Sequence, residues 1–142
     1  MAARVVRVAL AVLVLVTLPL GLWATVSPRS FYDDFPGGGR RWVAVDGPYN
    51  EHLVRDFGSL NLALAAVTIV ALVTLSRPVV LAAAVAWILY SLPHLVYHLR
   101  HLDLYDTTDK VLNVTALAGG LVLPVIVLVA EFRRPPSAAP AG

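Results

Sequence analysis

Pro78-Val79-Val80-Leu81-Ala82-Ala83-Ala84-Val85-Ala86-Trp87-Ile88-Leu89-Tyr90-Ser91-Leu92-Pro93-His94-Leu95-Val96-Tyr97 runs without a charged residue and continues as His98-Leu99-Arg100-His101. About 20 apolar residues in helical form cross the hydrocarbon core of a bilayer, so this stretch predicts a membrane-spanning helix. Its end carries three of the chain's 4 histidines. At about 100° per residue, His94, His98 and His101 fall within an arc of roughly 60°. Tyr90 and Tyr97 extend that arc, while Leu92, Leu95, Leu99 and Leu102 lie on the other side. A polar stripe backed by a lipid-compatible one is where a function would reside.

The rest of the chain agrees with a membrane setting. Of 142 residues, 58% are hydrophobic and 14% charged, with a mean hydropathy of +0.76. A soluble domain carries about 25% charged residues and could not bury this much apolar surface in one core. The formal charge of +2 is too small, and its arginines too scattered, for a nucleic-acid partner. The absence of cysteine excludes disulfides, thiolate zinc sites and thiol redox chemistry.

Three further runs match the first. Residues 8–26 follow Arg4 and Arg7, contain Pro19 and Gly21 as a kink, and end near an interfacial Trp23. A cleaved signal peptide is the rival reading, but its apolar core would be unusually long and lacks a clean small-x-small exit. Residues 58–75 are apolar apart from Asn61 and small hydroxyl side chains, and Asn50 stands ahead as an N-cap. Residues 111–130 carry Asn113 and Thr115 early and Gly119-Gly120 and Pro124 midway, with Thr107 or Thr108 as the cap. The expected fold is all-α: a four-helix integral membrane bundle in a single domain, residues 1–134, with spans near 8–26, 58–75, 78–97 and 111–130. Helices are the only option for such runs, because lipid leaves every backbone group to be satisfied within its own segment. Gly119-Gly120 and the alanines of the middle spans are expected to permit close helix contact.

Between the first two spans lies one long loop with turn signals at Pro28, Pro36-Gly37-Gly38-Gly39 and Asp46-Gly47-Pro48. Phe31-Tyr32 and Trp42-Val43-Ala44-Val45 are expected to pair as a short hairpin or to lie along the interface. The three glycines lack the Gly-Lys-Ser/Thr continuation of a phosphate cradle and read as a flexible loop. The tail, residues 135–142, is rich in proline and alanine and is expected to be disordered.

Four spans put both termini on one side. Arg4, Arg7, Arg77, Arg133 and Arg134 lie there, and Arg29, Arg40, Arg41, Arg55, Arg100 and Lys110 opposite, so number alone does not orient the chain. The first group is packed into short flanks and begins before the first span, which usually dominates, giving cytoplasmic termini in the cell membrane. The long loop and residues 99–110 are then external.

In that topology Glu51, His52, Arg55, Asp56, His94, His98 and His101 reach one membrane face. Glu51–Arg55 and His52–Asp56 are i,i+4 neighbours. Three uses compete. A His94/His98 or His98/His101 pair, completed by His52, Glu51 or Asp56, suits a divalent transition metal such as zinc, iron or copper. Tyr90 and Tyr97 with Asn61 and Asn113 suit a pocket for a quinone or other amphiphile. Alternatively the tyrosines form an interfacial belt and the charges pair locally, as in an accessory subunit with a membrane-protein partner or in a homo-oligomer. Membrane lipid is a partner on any of these readings.

The run Pro48-Tyr49-Asn50-Glu51-His52-Leu53-Val54-Arg55-Asp56-Phe57-Gly58, the Asn-bearing span after it and the late His-rich helix resemble small four-span membrane proteins of actinobacteria. The whole layout is similar to the broader DoxX-like group. Some DoxX-like proteins are associated with quinone-linked oxidation, so the resemblance implies an organic ligand and assigns no catalytic residue.

Overall fold

Lipid leaves no alternative partner for backbone groups, and the chain accordingly builds four long helices. The computed structural model describes residues 1–133; the tail expected over 135–142 lies outside them. Helix α1 spans Ala2–Val26, α2 Pro28–Asp34, α3 Glu51–Thr74, α4 Arg77–Arg100 and α5 Thr107–Phe132. A two-residue ladder, β1 (Pro36–Gly37) with β2 (Arg40–Arg41), and a 3₁₀ turn at Leu102–Leu104 complete the fold. Helices α1, α3, α4 and α5 have 25, 24, 24 and 26 residues and are long and apolar enough to cross a membrane. At 1.5 Å per residue, 24 residues reach about 36 Å, a few ångströms beyond a core of about 30 Å. The excess explains why each helix outruns its apolar run: the hydrogen-bonded ladder continues through the interface.

Leu15, Val73, Leu89 and Val111 are among many large apolar side chains on the outside, from 62% to 77% exposed. Such a belt is rare on a soluble monomer and is the lipid-facing surface of a multi-pass membrane protein.

The four long helices form a ring, α1 beside α3, α3 beside α4, α4 beside α5 and α5 beside α1. The most extensive contacts are α1 with α3 and α4 with α5. On the side of the termini the ring is packed tight by Val6, Leu10, Ala71, Val80, Ala84 and Val127. Glu131 is fully buried at this end. Midway, Leu13, Leu64 and Trp87 pack together. Trp87 Nε1 donates to Thr68 Oγ1 at 2.9 Å, and Thr68 Oγ1 donates to the Leu64 carbonyl at 2.6 Å, so these buried polar groups are satisfied.

Backbone-to-backbone approach occurs at Gly58, not at the expected Gly119-Gly120. A Cβ on Gly58 would lie 2.7 Å from the Thr25 nitrogen, and one on Gly21 3.0 Å from the Gly58 carbonyl oxygen. A Cβ on Gly119 would meet nothing within 4 Å. Gly120 instead offers its carbonyl to Ser91 Oγ at 3.1 Å.

The long loop is more ordered than its glycines suggest, and it folds differently from the expected hairpin. Pro28 opens α2, whose fixed φ suits a first helical turn, so Phe31 and Tyr32 are helical. The ladder is Pro36↔Arg41 and Gly37↔Arg40, closed by Gly37, Gly38 and Gly39 at φ of +101°, +65° and +79°. Only glycine takes three such values in succession without strain. Arg29 Nε donates to Asp33 Oδ2 at 2.6 Å across one turn of α2 and holds that exposed carboxyl below its usual range. Phe31 packs on Phe35 and Phe57, with ring centroids 4.8 Å and 5.5 Å away, and Trp23 meets it edge-on at 5.6 Å.

The caps follow the sequence on α3 and depart from it on α5. Asn50 Oδ1 accepts from Leu53 N at 3.1 Å, as expected. Helix α5 is capped by Asp106, whose Oδ1 accepts from Asp109 N at 2.8 Å, so Thr107 and Thr108 are already inside the helix.

Candidate functional site

Towards the loop side the ring opens. There the helices and the long loop enclose a cavity of about 680 Å³, walled mainly by apolar side chains including Leu20, Phe31, Phe57 and Trp87. Three features of the sequence make this end hollow. Small side chains, Ser91, Ala116 and Gly120, stand where the opposite end has valine and leucine. Aromatic rings, rigid and broad, prop the walls apart. The loop residues Trp42, Val43 and Asp46 lie across the cavity's end and take space that a helix would otherwise fill.

A string of polar groups runs along one wall. Asn61 Nδ2 donates to the Phe57 carbonyl at 2.8 Å and to Tyr90 Oη at 3.2 Å. The Tyr90 ring stacks on His94, centroids 5.5 Å apart and planes 16° from parallel. Phe57 covers His94 at 6.3 Å, and His98 meets it edge-on at 4.9 Å. His98 Nδ1 then lies 3.3 Å from Tyr105 Oη, which donates its proton to the Trp42 carbonyl at 3.2 Å. Tyr105 has only one proton to give, so His98 Nδ1–H is the donor in the second bond and its Nε2 keeps a free lone pair. Burial pushes the Tyr105 hydroxyl up to about 12, with Asp46 adding to the shift, so it stays a neutral donor at ordinary pH.

Two residues that line the cavity, Trp42 and Asn113, each have a buried polar atom with no partner among the described residues, Nε1 and Oδ1. Trp42 is 8% and Asn113 3% exposed. An orphaned buried donor or acceptor costs about 1–3 kcal/mol, a penalty that a ligand with matching groups removes.

The sequence-derived candidates divide into two groups. Asn61, Tyr90, His94, Tyr97, His98 and Asn113 all line the cavity, Tyr97 at its rim with its hydroxyl donating to Asp46 Oδ1 at 3.1 Å. His101 is outside it, its ring stacked on Tyr97 at 4.2 Å and its Nδ1 2.7 Å from the Tyr97 carbonyl oxygen. The His52 side chain is 87% exposed and pairs with Asp56 at 3.3 Å. Glu51 accepts from Arg55 Nε at 2.8 Å, and Arg55 also donates to the Thr25 carbonyl. The expected joining of His52, Glu51 and Asp56 with the α4 histidines into one cation site is therefore not realised. Among the described residues no three His, Asp or Glu side chains are placed to hold a metal ion. The first turns of α3 satisfy their charges between i,i+4 neighbours and face water, while His94 and His98 turn inward. Reaching the same membrane level is not the same as sharing a face.

Trp42, Asp46 and Tyr105 were not among the sequence candidates. Their hint is Trp42 within Trp42-Val43-Ala44-Val45, an apolar run too short to span and too apolar for open loop. No family model, curated protein or solved structure matches the chain.

Proposed function

We propose that this multi-pass membrane protein binds a lipid-soluble amphiphile, of the quinone or quinol kind, in the loop-side cavity. The observation that carries the reading is an apolar cavity of about 680 Å³ lined by Trp42 and Asn113, whose Nε1 and Oδ1 are buried and unpartnered among the described residues. Ligand sites of about 300–1,000 Å³ are typically apolar with a few convergent polar groups, and this one has that composition. Trp42 supplies a donor for a carbonyl oxygen, Asn113 an acceptor for a hydroxyl, and His98 Nε2 a second acceptor. The stacked Phe57, His94 and Tyr90 rings offer aromatic edges to a planar head. The DoxX-like layout of the sequence agrees with such a ligand. With cytoplasmic termini, as the crowded arginine flanks favour, the cavity faces the outer leaflet of the cell membrane.

Native mass spectrometry of the protein released from lipid nanodiscs tests this reading. The expected result is a stoichiometric organic adduct that survives mild activation and is lost in Asn113→Leu protein. An adduct-free spectrum, with titrated quinol giving none, refutes it.

A further inference from the structure

We infer that the ligand reaches the cavity sideways from the bilayer, through the seam between α1 and α5, and leaves its tail in that seam. The inference rests on the cavity-binding reading and names its ligand further: a head group of ring size with an apolar tail, loaded from lipid rather than from water.

Five lining residues are exposed, and three of them, Val16, Pro19 and Ala116, lie on α1 and α5 at membrane depth. Val16 lies ten residues before the end of α1 and Ala116 nine after the start of α5, so both are about 15 Å below the loop-side ends, well inside the hydrocarbon. Below them the two helices are joined through the tight cluster containing Val6, Leu10 and Val127. Above that cluster α5 carries small groups: Ala116 has one methyl, and a Cβ on Gly119 would meet nothing within 4 Å. The inferred seam is thus closed at the terminal end and passable at mid-membrane.

On the water side the loop is tied down. The loop crossing the cavity is fastened to both helices of the other pair: Tyr97 on α4 donates to Asp46, and Asp109 on α5 pairs with Arg40. Tyr105, between those helices, donates to the Trp42 carbonyl. Orphaned Asn113 is one helical turn from Ala116 on α5, about 4.5 Å along the axis, so both fall on one face. A head bonded at Asn113 therefore has its tail directed at Ala116. The cavity has a second exposed edge, Leu53 and Tyr97, where α3 and α4 meet the loop. It lies at the interface rather than in the hydrocarbon and is the rival mouth.

All 3 tryptophans of the chain, Trp23, Trp42 and Trp87, line the cavity, so a quinone that enters will quench their fluorescence. The test uses protein in phosphatidylcholine nanodiscs and two probes, 2,3-dimethoxy-5-methyl-1,4-benzoquinone and its decyl-tailed derivative. The expected result is that Val16→Phe and Ala116→Phe each weaken the tailed probe about tenfold or more, a cost of about 1.4 kcal/mol. The tailless probe should bind both variants as it binds the unaltered protein, which also shows that their cavities are intact. Leu53→Phe should change neither. Tailed-probe binding untouched by both seam variants but lost in Leu53→Phe overturns the lateral route and leaves the cavity reading standing. Loss of both probes in the seam variants also overturns it, since the seam would then hold the head. Failure of either probe to quench the unaltered protein overturns the cavity reading itself.

Discussion

Replacing Gly58 by alanine should drive α1 and α3 apart. The added Cβ would lie 2.7 Å from the Thr25 nitrogen and 3.0 Å from the Ala24 carbonyl carbon, both backbone atoms that no rotamer change can move. Ordinary contact begins near 3.4 Å, so the helices must separate by several tenths of an ångström along their closest contact. Overpacking of this kind costs about 1–3 kcal/mol. Alanine for glycine inside a helix returns about 1 kcal/mol of propensity, leaving a net loss of up to about 2 kcal/mol. Gly119→Ala is the matched control, because its Cβ meets nothing within 4 Å and only the propensity gain remains. Unfolding in mixed detergent micelles, followed by tryptophan fluorescence, should place Gly58→Ala below the unaltered protein and Gly119→Ala at or above it. The gap between the two variants isolates the clash, about 1–3 kcal/mol. Equal midpoints for the pair would refute the backbone contact at Gly58.

Asn113→Leu should stabilise the ligand-free protein or leave it unchanged, since it removes an orphaned acceptor costing about 1–3 kcal/mol, while weakening quinol binding; detergent unfolding and tryptophan quenching read the two effects. Tyr105→Phe removes the donor to the Trp42 carbonyl and should raise amide hydrogen exchange over residues 42–46. Because the folded Tyr105 titrates near 12, above its ordinary value of about 10, its contribution is complete below pH ~10 and disappears as pH rises to 12. The unaltered loop should loosen across that window, and the Tyr105→Phe loop should show no such step. His52→Ala should leave quinone binding and bound-metal content unchanged, because the side chain faces water and pairs with Asp56; a changed metal content on elemental analysis would contradict this.

The spans were legible because hydropathy over some twenty residues is a property of one segment alone. Asn50 was legible for the same reason: a cap acts three residues away. Tyr90, His94 and His98 of the stripe face the cavity as the helical spacing requires, while His101 of the same stripe stacks on Tyr97 outside it. What failed to show depended on partners distant in sequence. Gly58 and Gly119 are indistinguishable along the chain, and only the approach of Thr25 makes the first indispensable. Trp42 is held by Tyr105, 63 residues later, and no local pattern announces that bond. The cap of α5 was displaced by one residue because Asp106 and Thr107 are both competent and only backbone geometry chose between them. His52, Glu51 and Asp56 misled for a different reason. Their spacing serves a ligand and i,i+4 pairing alike, and the pairing, with Arg55 and with one another, is what the structure realises.

A crystal structure grown from a lipidic mesophase, with protein extracted together with its own membrane lipids, tests most directly the proposed binding of a membrane amphiphile by its head in the loop-side cavity. The expected result is continuous elongated density beginning within hydrogen-bonding distance of Trp42 Nε1 and Asn113 and running out between Val16 and Ala116. A cavity containing only separate waters, or one filled by its own side chains with Trp42 and Asn113 bonded to protein, would contradict it.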